Sequence, residues 1–414
     1  MKEQIYNSLM NKNIILFGVQ EDTVKFYQKY HHLIHIRFCV TSYTENLDLQ
    51  PMQEYGLETV LYDDVTLTDD DFLVICDDML YRSIDHRLQT ERIVEYEQFV
   101  SWKLAAAVLE RKKIVLFMGT ALVGQLAMSL NMQPDFINKY YSVYYPEDAI
   151  LSPYKNRMNE YRHLARMCDA YIISACDKDR YGSKVFTDKL LKSDCVKISI
   201  SDYSFNGYYP QIVNDRDYIS DYLYREKERL PMLYDTLFMA REDKNLRAYI
   251  EKQMPEDEII NLVCDDSFYS ERYVLECFNQ ALENVKRADL KADVKLADYI
   301  AGNADVVLYR NLDEWNISLL LYVTEIICGK LQIIFQDPNM NDIVEKLESS
   351  SGSELPVYPS VLKWLHTVGY ENKKYRIVSY YGASYMGFED YMRHCIKSMY
   401  QIKEMNQFLD GGAV

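Results

Sequence analysis

A strand, a glycine, a hydroxyl and a helix in succession mark the first place where this sequence could do chemistry. The apolar run Ile114–Met118 ends at Gly119, and Thr120-Ala121-Leu122-Val123-Gly124-Gln125-Leu126 continues as a helical pattern. Unpaired N–H groups at the head of such a helix attract an anion or a developing oxyanion, and the Thr120 hydroxyl would stand beside them. Gly119, Thr120 and Gln125 are therefore candidate ligand contacts, and Thr120 is a candidate catalytic group. The same spacing describes an ordinary helix start with Thr120 as its N-cap. Asn206, Gly207 and Tyr209, in Phe205-Asn206-Gly207-Tyr208-Tyr209-Pro210-Gln211, follow another β-rich run. Open α/β sheets bind ligands beyond the C-terminal ends of their strands, so these three join the candidate set.

Acid–base chemistry has fewer candidates. Asp390 and His394 are four residues apart on an expected helix, so a carboxylate could orient an imidazole. An exposed ion pair has the same spacing. His366 also lies near the C-terminus, and His163 beside Arg162 has no stronger claim. His31, His32 and His35 lack a cysteine or carboxylate to complete a ligand set, so no metal is expected. A dinucleotide site is not expected either. The turn Gly18-Val19-Gln20-Glu21-Asp22-Thr23 lacks two of the three glycines, and Glu21 and Asp22 stand where phosphates would lie.

Bulk properties narrow the class further. The 414 residues suit two domains, and 48% hydrophobic with 26% charged residues is ordinary globular composition. A formal charge of -17 repels nucleic-acid backbones and anionic membranes, and no basic patch offsets it. Nine cysteines without a CxxC pair read as reduced, buried thiols. With no signal-peptide pattern and no apolar run near the ~20 residues of a transmembrane helix, a cytoplasmic location is expected. Thirty-seven tyrosines suit ring-stacking carbohydrate surfaces, although an AT-rich coding sequence produces the same bias.

These groups must be held by alternating strands and helices. Short apolar runs at 14–17, 34–40 and 72–76, with helices at 21–30 and 96–109, predict a Rossmann-like parallel sheet covered on both faces. A fresh strand–glycine–helix unit starts near residue 112 with no Pro/Gly/Ser linker before it. Strands follow at 141–145, 170–174 and 196–201. Helices are then expected at 217–228, 232–239, 244–252, 268–285, 317–327, 342–347, 360–366 and 388–405, with one late strand at 306–309. Ser349-Ser350-Ser351-Gly352-Ser353 reads as a mobile surface loop.

From Gly119 onward the sequence resembles the WcbI-type family of polysaccharide-biosynthesis acyltransferases. The family pattern is a strand followed by Gly-Asn-Cys-Gln, and here Gly119 is followed by Thr120, Ala121 and Leu122. The segment 205–211 resembles its Gly-aromatic-x-Pro segment, and Asp293–Ile300 its acidic amphipathic helix. Tyr309-Arg310-Asn311-Leu312-Asp313-Glu314-Trp315-Asn316 falls where the family has an Asn-His-Pro turn. Pro356-Val357-Tyr358-Pro359-Ser360 and Phe388-Glu389-Asp390-Tyr391 are similar to its closing turn and last helix. The order covers about residues 113–405.

The resemblance implies an α/β protein of two domains. Residues 1–112 form a degenerate Rossmann-like module, and 113–414 an SGNH-like/WcbI-like α/β domain with extra C-terminal helices. It also implies transfer of an acyl group, acetyl for instance, from coenzyme A or acetyl-coenzyme A to a sugar in capsular or exopolysaccharide biosynthesis. The partners are then a small-molecule acyl donor and a sugar or polysaccharide precursor; oligomeric state is left open. Ala121 in place of the family cysteine excludes a thiol nucleophile there, and the 309–316 turn has no histidine. Three alternatives remain. An SGNH-like esterase would want a Ser at Thr120 and a late Asp-x-x-His, one residue shorter than Asp390 to His394. A two-Rossmann glycosyltransferase would want a phosphate site in the second domain, where only Gly119 offers one. A family member that binds a sugar or partner without catalysis fits the missing groups.

Overall fold

The continuous apolar runs form the inner strands of two parallel sheets in a computed structural model. It describes residues 1–41, 50–76, 97–146, 156–175, 187–201, 204–212, 243–350, 352–370, 372–379 and 382–411. The first sheet holds β1 (Asn13–Phe17), β2 (Ile36–Thr41), β3 (Thr59–Leu61), β4 (Asp71–Ile75) and β5 (Phe99–Ser101) in the order β3-β2-β1-β4-β5. All four neighbouring pairs are parallel. Strand β4 is buried at every position, as a strand covered on both faces must be. Helices α1 (Lys2–Asn11), α2 (Glu21–Tyr30), α3 (Gln50–Glu54) and α4 (Trp102–Leu109) accompany it. Helix α4 is shorter than the expected 96–109. Phe99–Ser101 pairs with β4 instead, and the Ser101 hydroxyl accepts from the Leu104 N–H (3.4 Å) to start the helix.

The second sheet holds β6 (Lys113–Gly119), β7 (Tyr140–Pro146), β8 (Ala170–Ser174) and β9 (Val196–Ile200) in the order β7-β6-β8-β9. Strands β7 and β8 run parallel to β6 on either side of it. Helices α5 (Ala121–Leu130), α6 (Pro134–Lys139) and α7 (Asn156–Met167) lie between these strands in sequence.

The remainder is mostly helical: α8 (Lys244–Glu251), α9 (Glu256–Val263), α10 (Glu271–Asp289), α11 (Ala297–Gly302), α12 (Ile317–Leu331), α13 (Met340–Ser350), α14 (Pro359–Trp364) and α15 (Phe388–Gly411). An antiparallel pair, β10 (Tyr375–Ser379) and β11 (Gly382–Met386), precedes α15. The helices expected at 217–228 and 232–239 lie outside the described residues. Among those residues no helix is long and apolar enough to cross a membrane.

Three expectations change here. The segment 306–309 is not a strand: it turns back on itself, Tyr309 bridging Trp315 and the Arg310 N–H donating to the Glu314 carbonyl (2.8 Å). The helix expected from Asp293 starts at Ala297, because Val294 is drawn to β9, its carbonyl accepting from the Ser201 N–H (3.1 Å). The buried Asp289 carboxylate then accepts from the N–H groups of Leu296 and Ala297 and heads the helix. Finally, the serine-rich stretch is no surface loop at its ends. Ser349 and Ser350 close α13, and Ser353 is buried with its hydroxyl accepting from the Val378 N–H (2.9 Å).

By spatial proximity the chain forms two compact units. One comprises Met1–Gly119, Gln133–Ile173 and Lys178–Ile198; the other comprises Thr120–Met132, Ser174–Asp177 and Ser199–Val414. In the first unit a single buried cluster takes Leu16 and Val74 from the first sheet, Leu104 and Val108 from α4, and Leu116 and Tyr171 from the second. Residues on both sides of position 112 thus contribute to one buried cluster. Helix α4 contributes to this core through Leu104, Ala105 and Val108, all buried.

Candidate functional site

The second unit contains a cavity of about 250 Å³ lined by Tyr209, Arg310, Asn316, Glu348, Glu354 and Lys373, together with Tyr309, Tyr370, Tyr375 and several aliphatic residues. That is somewhat below the ~300–1,000 Å³ typical of small-molecule sites, so it suits one ring or one charged group of a larger ligand.

Local packing explains why these side chains converge. Phe205, Tyr208 and Tyr209 are buried together, and a side chain on Gly207 would sit 2.6 Å from the Phe205 ring. Glycine is needed there for the close approach. The Tyr209 hydroxyl donates to the Tyr309 carbonyl (2.7 Å), and the Tyr208 hydroxyl to the Val306 carbonyl (2.8 Å), tying this segment to the 306–316 turn. Asn316 caps α12, its Oδ1 accepting from the Leu319 N–H (3.1 Å), while its amide donates back to the Val307 carbonyl. The Leu355 N–H donates to the Arg310 carbonyl (2.9 Å), which brings Glu354 alongside.

Two cations, Arg310 and Lys373, and two carboxylates, Glu348 and Glu354, line this cavity. Arg310 Nε lies 3.0 Å from Glu354 Oε1, and Lys373 Nζ lies 3.2 Å from Glu354 Oε2. The Arg376 N–H also donates to Oε2 (3.2 Å). Glu354 therefore faces two cations, while Glu348 accepts from the Tyr385 hydroxyl (2.6 Å), and Lys373 keeps about a third of its side chain exposed (35%). An anionic ligand here would have to compete with Glu354 for Arg310 and Lys373, the arginine being suited to the flat face of a carboxylate or phosphate. Burial pushes the hydroxyls of Tyr370, Tyr375 and, furthest, Tyr209 well above the ordinary phenol range. They stay neutral at physiological pH and present ring faces, the Tyr209 hydroxyl being committed to the Tyr309 carbonyl.

Of the residues singled out from the sequence, Tyr209 lines this cavity. Asn206 is exposed, its carbonyl accepting from the Tyr209 N–H (2.9 Å), and Gly207 acts through packing. Gly119 ends β6 at φ +151°, a backbone conformation that favours glycine. Thr120 heads α5 in extended backbone, yet its side chain makes no capping hydrogen bond to the helix. Gln125 is buried, and its Oε1 accepts from the Trp315 N–H (3.3 Å), a bond that joins α5 to the 309–316 turn.

The acid–base candidates are placed elsewhere. Asp390 is exposed in the first turn of α15, and His394 is half-buried one turn later. Burial, and then the Lys397 ammonium, push His394 below the ordinary imidazole value. A carboxylate holding an imidazolium would shift it the other way. On this helix carboxylates engage Arg393, from Glu389, Glu256 and Asp257, and Lys397, from Glu256. His366 is exposed, in left-handed backbone after α14 (φ +54°). His31 stacks on Tyr27, 5.0 Å between ring centroids. At the first glycine turn, Glu21 pairs with Lys25 on its own helix (2.7 Å). Among the described residues no group of three or more His, Cys, Asp and Glu could hold a metal.

Sequence reasoning did not single out Arg310, Glu354 or Lys373. Arg310 stood inside the 309–316 segment, but that segment drew notice for its missing histidine. Glu354 beside Leu355-Pro356 offered one signal, an acid flanking an apolar, Pro-containing turn.

No protein-family model matches the chain, and no curated protein matches it in sequence. Its fold resembles a solved structure of WcbI, described as a novel polysaccharide biosynthesis enzyme, in a native form without a disulfide bond between coenzyme A and a cysteine. The likeness covers 70% of this chain and 90% of that one, at a TM-score of 0.54 and 13% sequence identity. What the two share at that identity is architecture: this chain has a WcbI-like α/β fold.

Proposed function

We propose that this chain acts in polysaccharide biosynthesis, transferring an acyl group from coenzyme A to a sugar hydroxyl of a capsular or exopolysaccharide precursor. The observation that carries the reading is the tyrosine-walled cavity with its two cations around Glu354, set in a WcbI-like fold. Arg310 and Lys373 would hold an anionic group, either a phosphate of the donor or a phosphate or carboxylate of the sugar precursor. The tyrosine rings would pack against the attached ring. In the transfer the sugar oxygen attacks the thioester carbonyl, the carbon–sulfur bond breaks, and the proton passes to the departing thiol. Negative charge on the carbonyl oxygen would be met by the N-terminus of α5 and Thr120.

A second reading, binding of a sugar or partner without catalysis, is favoured by one observation. The residues lining the cavity include neither histidine nor cysteine. A calorimetric and thermal-shift panel separates the two. It uses coenzyme A, acetyl-coenzyme A, a nucleotide sugar, a hexose phosphate and the matching neutral hexose, followed by an assay for free thiol release. Binding of acetyl-coenzyme A with sugar-dependent thiol release supports transfer. Binding of sugars alone without release supports the second reading, and a nucleotide sugar as the sole ligand would point to glycosyl transfer. No binding of any of these to the full chain would reject both.

A further inference from the structure

We infer that Cys195 and Cys168 form an oxidant-responsive pair, in which peroxide attacks Cys195 and Cys168 closes a reversible disulfide. The two Sγ atoms lie 3.7 Å apart although the residues are 27 positions apart in the chain. A disulfide needs about 2.0 Å between sulfurs, so closure asks for a movement under about 2 Å. Cys168 follows the last turn of α7, its N–H donating to the Leu164 carbonyl (2.8 Å). Cys195 sits in the turn before β9, its N–H donating to the Lys192 carbonyl (3.1 Å). A turn residue can follow a small sulfur displacement more readily than a strand residue can.

The two thiols differ in the way such a pair requires. Cys168 is buried, whereas Cys195 is partly open to solvent. Lys192 stands three residues before Cys195, bound to Asp169 at 2.7 Å, and Lys197 two residues after it, bound to Asp188 at 3.0 Å. The hydrogen bond from Cys168, and then these two ammonium groups, hold the Cys195 thiol below its ordinary value against burial and the Asp169 charge. Cys168 is pushed the other way, first by the same bond and then by burial. Thiolate character and access together select the sulfur that reacts first. Elsewhere burial pushes Cys39 up to about 12 and raises Cys264 and Cys395 as well.

The chemistry balances with hydrogen peroxide as the oxidant. The Cys195 thiolate attacks one peroxide oxygen, the O–O bond breaks, and water leaves after protonation, giving a sulfenic acid. The Cys168 sulfur then attacks the Cys195 sulfur, the S–O bond breaks, and the hydroxyl leaves with the Cys168 proton as a second water. Two thiols lose two electrons and two protons in all. The bond would tie the end of α7 to the start of β9, the edge strand of the second sheet.

The test uses the full, unaltered chain, so folding of a variant is not at issue. Reduced protein is treated with one equivalent of hydrogen peroxide, alkylated, digested without reductant and mapped by mass spectrometry. The expected result is a Cys168–Cys195 linked peptide, loss of two of the nine thiols, and full recovery with dithiothreitol. In Cys168→Ser, dimedone should label Cys195. Wild-type protein in which Cys195 stays singly oxidised, or in which other thiols react first, would overturn the pairing.

Discussion

Arg310 Nε approaches Glu354 Oε1 to 3.0 Å while both side chains are about nine-tenths buried, with 10% and 9% of their surface exposed. A pair so withdrawn from water is held by mutual neutralisation, and each partner is a liability once the other is gone. Glu354 also receives Lys373 and the Arg376 N–H, so one carboxylate organises this wall of the cavity.

Glu354→Gln should therefore destabilise the second unit. It leaves Arg310 and Lys373 facing a neutral amide, and breaking a buried pair from one side costs about 3–5 kcal/mol. Urea denaturation checks this, and a loss below about 1 kcal/mol would mean that the pair is effectively solvated.

Gly207→Ala should overpack the segment that carries Tyr209. The new methyl would lie 2.6 Å from the Phe205 ring and 3.2 Å from the Phe278 Cα, and the backbone atom cannot yield freely. A cost of about 1–3 kcal/mol is expected. Gly302→Ala, where nothing lies within 4 Å, is the control and should be neutral or slightly stabilising. Equal melting temperatures for the two variants would refute the packing argument.

How much of this was legible in the sequence depends on the range of the interactions involved. Strands β1, β4, β6 and β8 announced themselves as apolar runs, because strands buried on both faces have little polar side to show, whereas the edge strands β7 and β9 are partly exposed and carry polar residues. Strands β3 and β5, three residues each, are too short to establish a period, and pairing with β2 and β4 defines them. The antiparallel strand β11 is largely exposed and reads as polar chain. Within the site, Tyr209 followed from an aromatic cluster around a glycine. Glu354 meets Arg310 across 44 residues and Lys373 across 19, and no local spacing signals such a meeting.

Thr120→Val separates two roles for the hydroxyl at the head of α5. Its side chain makes no capping bond to the helix, so the substitution does not remove a cap, whose loss typically costs ~1 kcal/mol. If it meets the oxyanion in acyl transfer, turnover should fall a hundredfold or more, as when one oxyanion donor is lost. Stability by denaturation and rate by thiol release are read on the same preparation. An unchanged rate rejects the catalytic role, and an unchanged rate with a clear stability loss assigns the hydroxyl a structural one.

Asp243 supplies a pH dependence whose sign can be worked out. It is fully buried at the head of α8, where it accepts from the Asn245 and Leu246 N–H groups and from the Tyr358 hydroxyl (2.7 Å). Burial pushes its carboxyl up to about 6, outweighing those three hydrogen bonds. The folded state thus holds a proton that the unfolded state, with an ordinary value of 3.8, has already released between these limits. Stability from this group is full below about pH 4 and lost as pH rises through 6, amounting to roughly 3 kcal/mol at most. Asp243→Asn keeps an N-cap acceptor but carries no titratable proton. Denaturation at pH 4.5 and pH 7 should show wild type losing stability relative to the variant as pH rises, and parallel profiles would mean that the carboxylate stays ionised in its buried site.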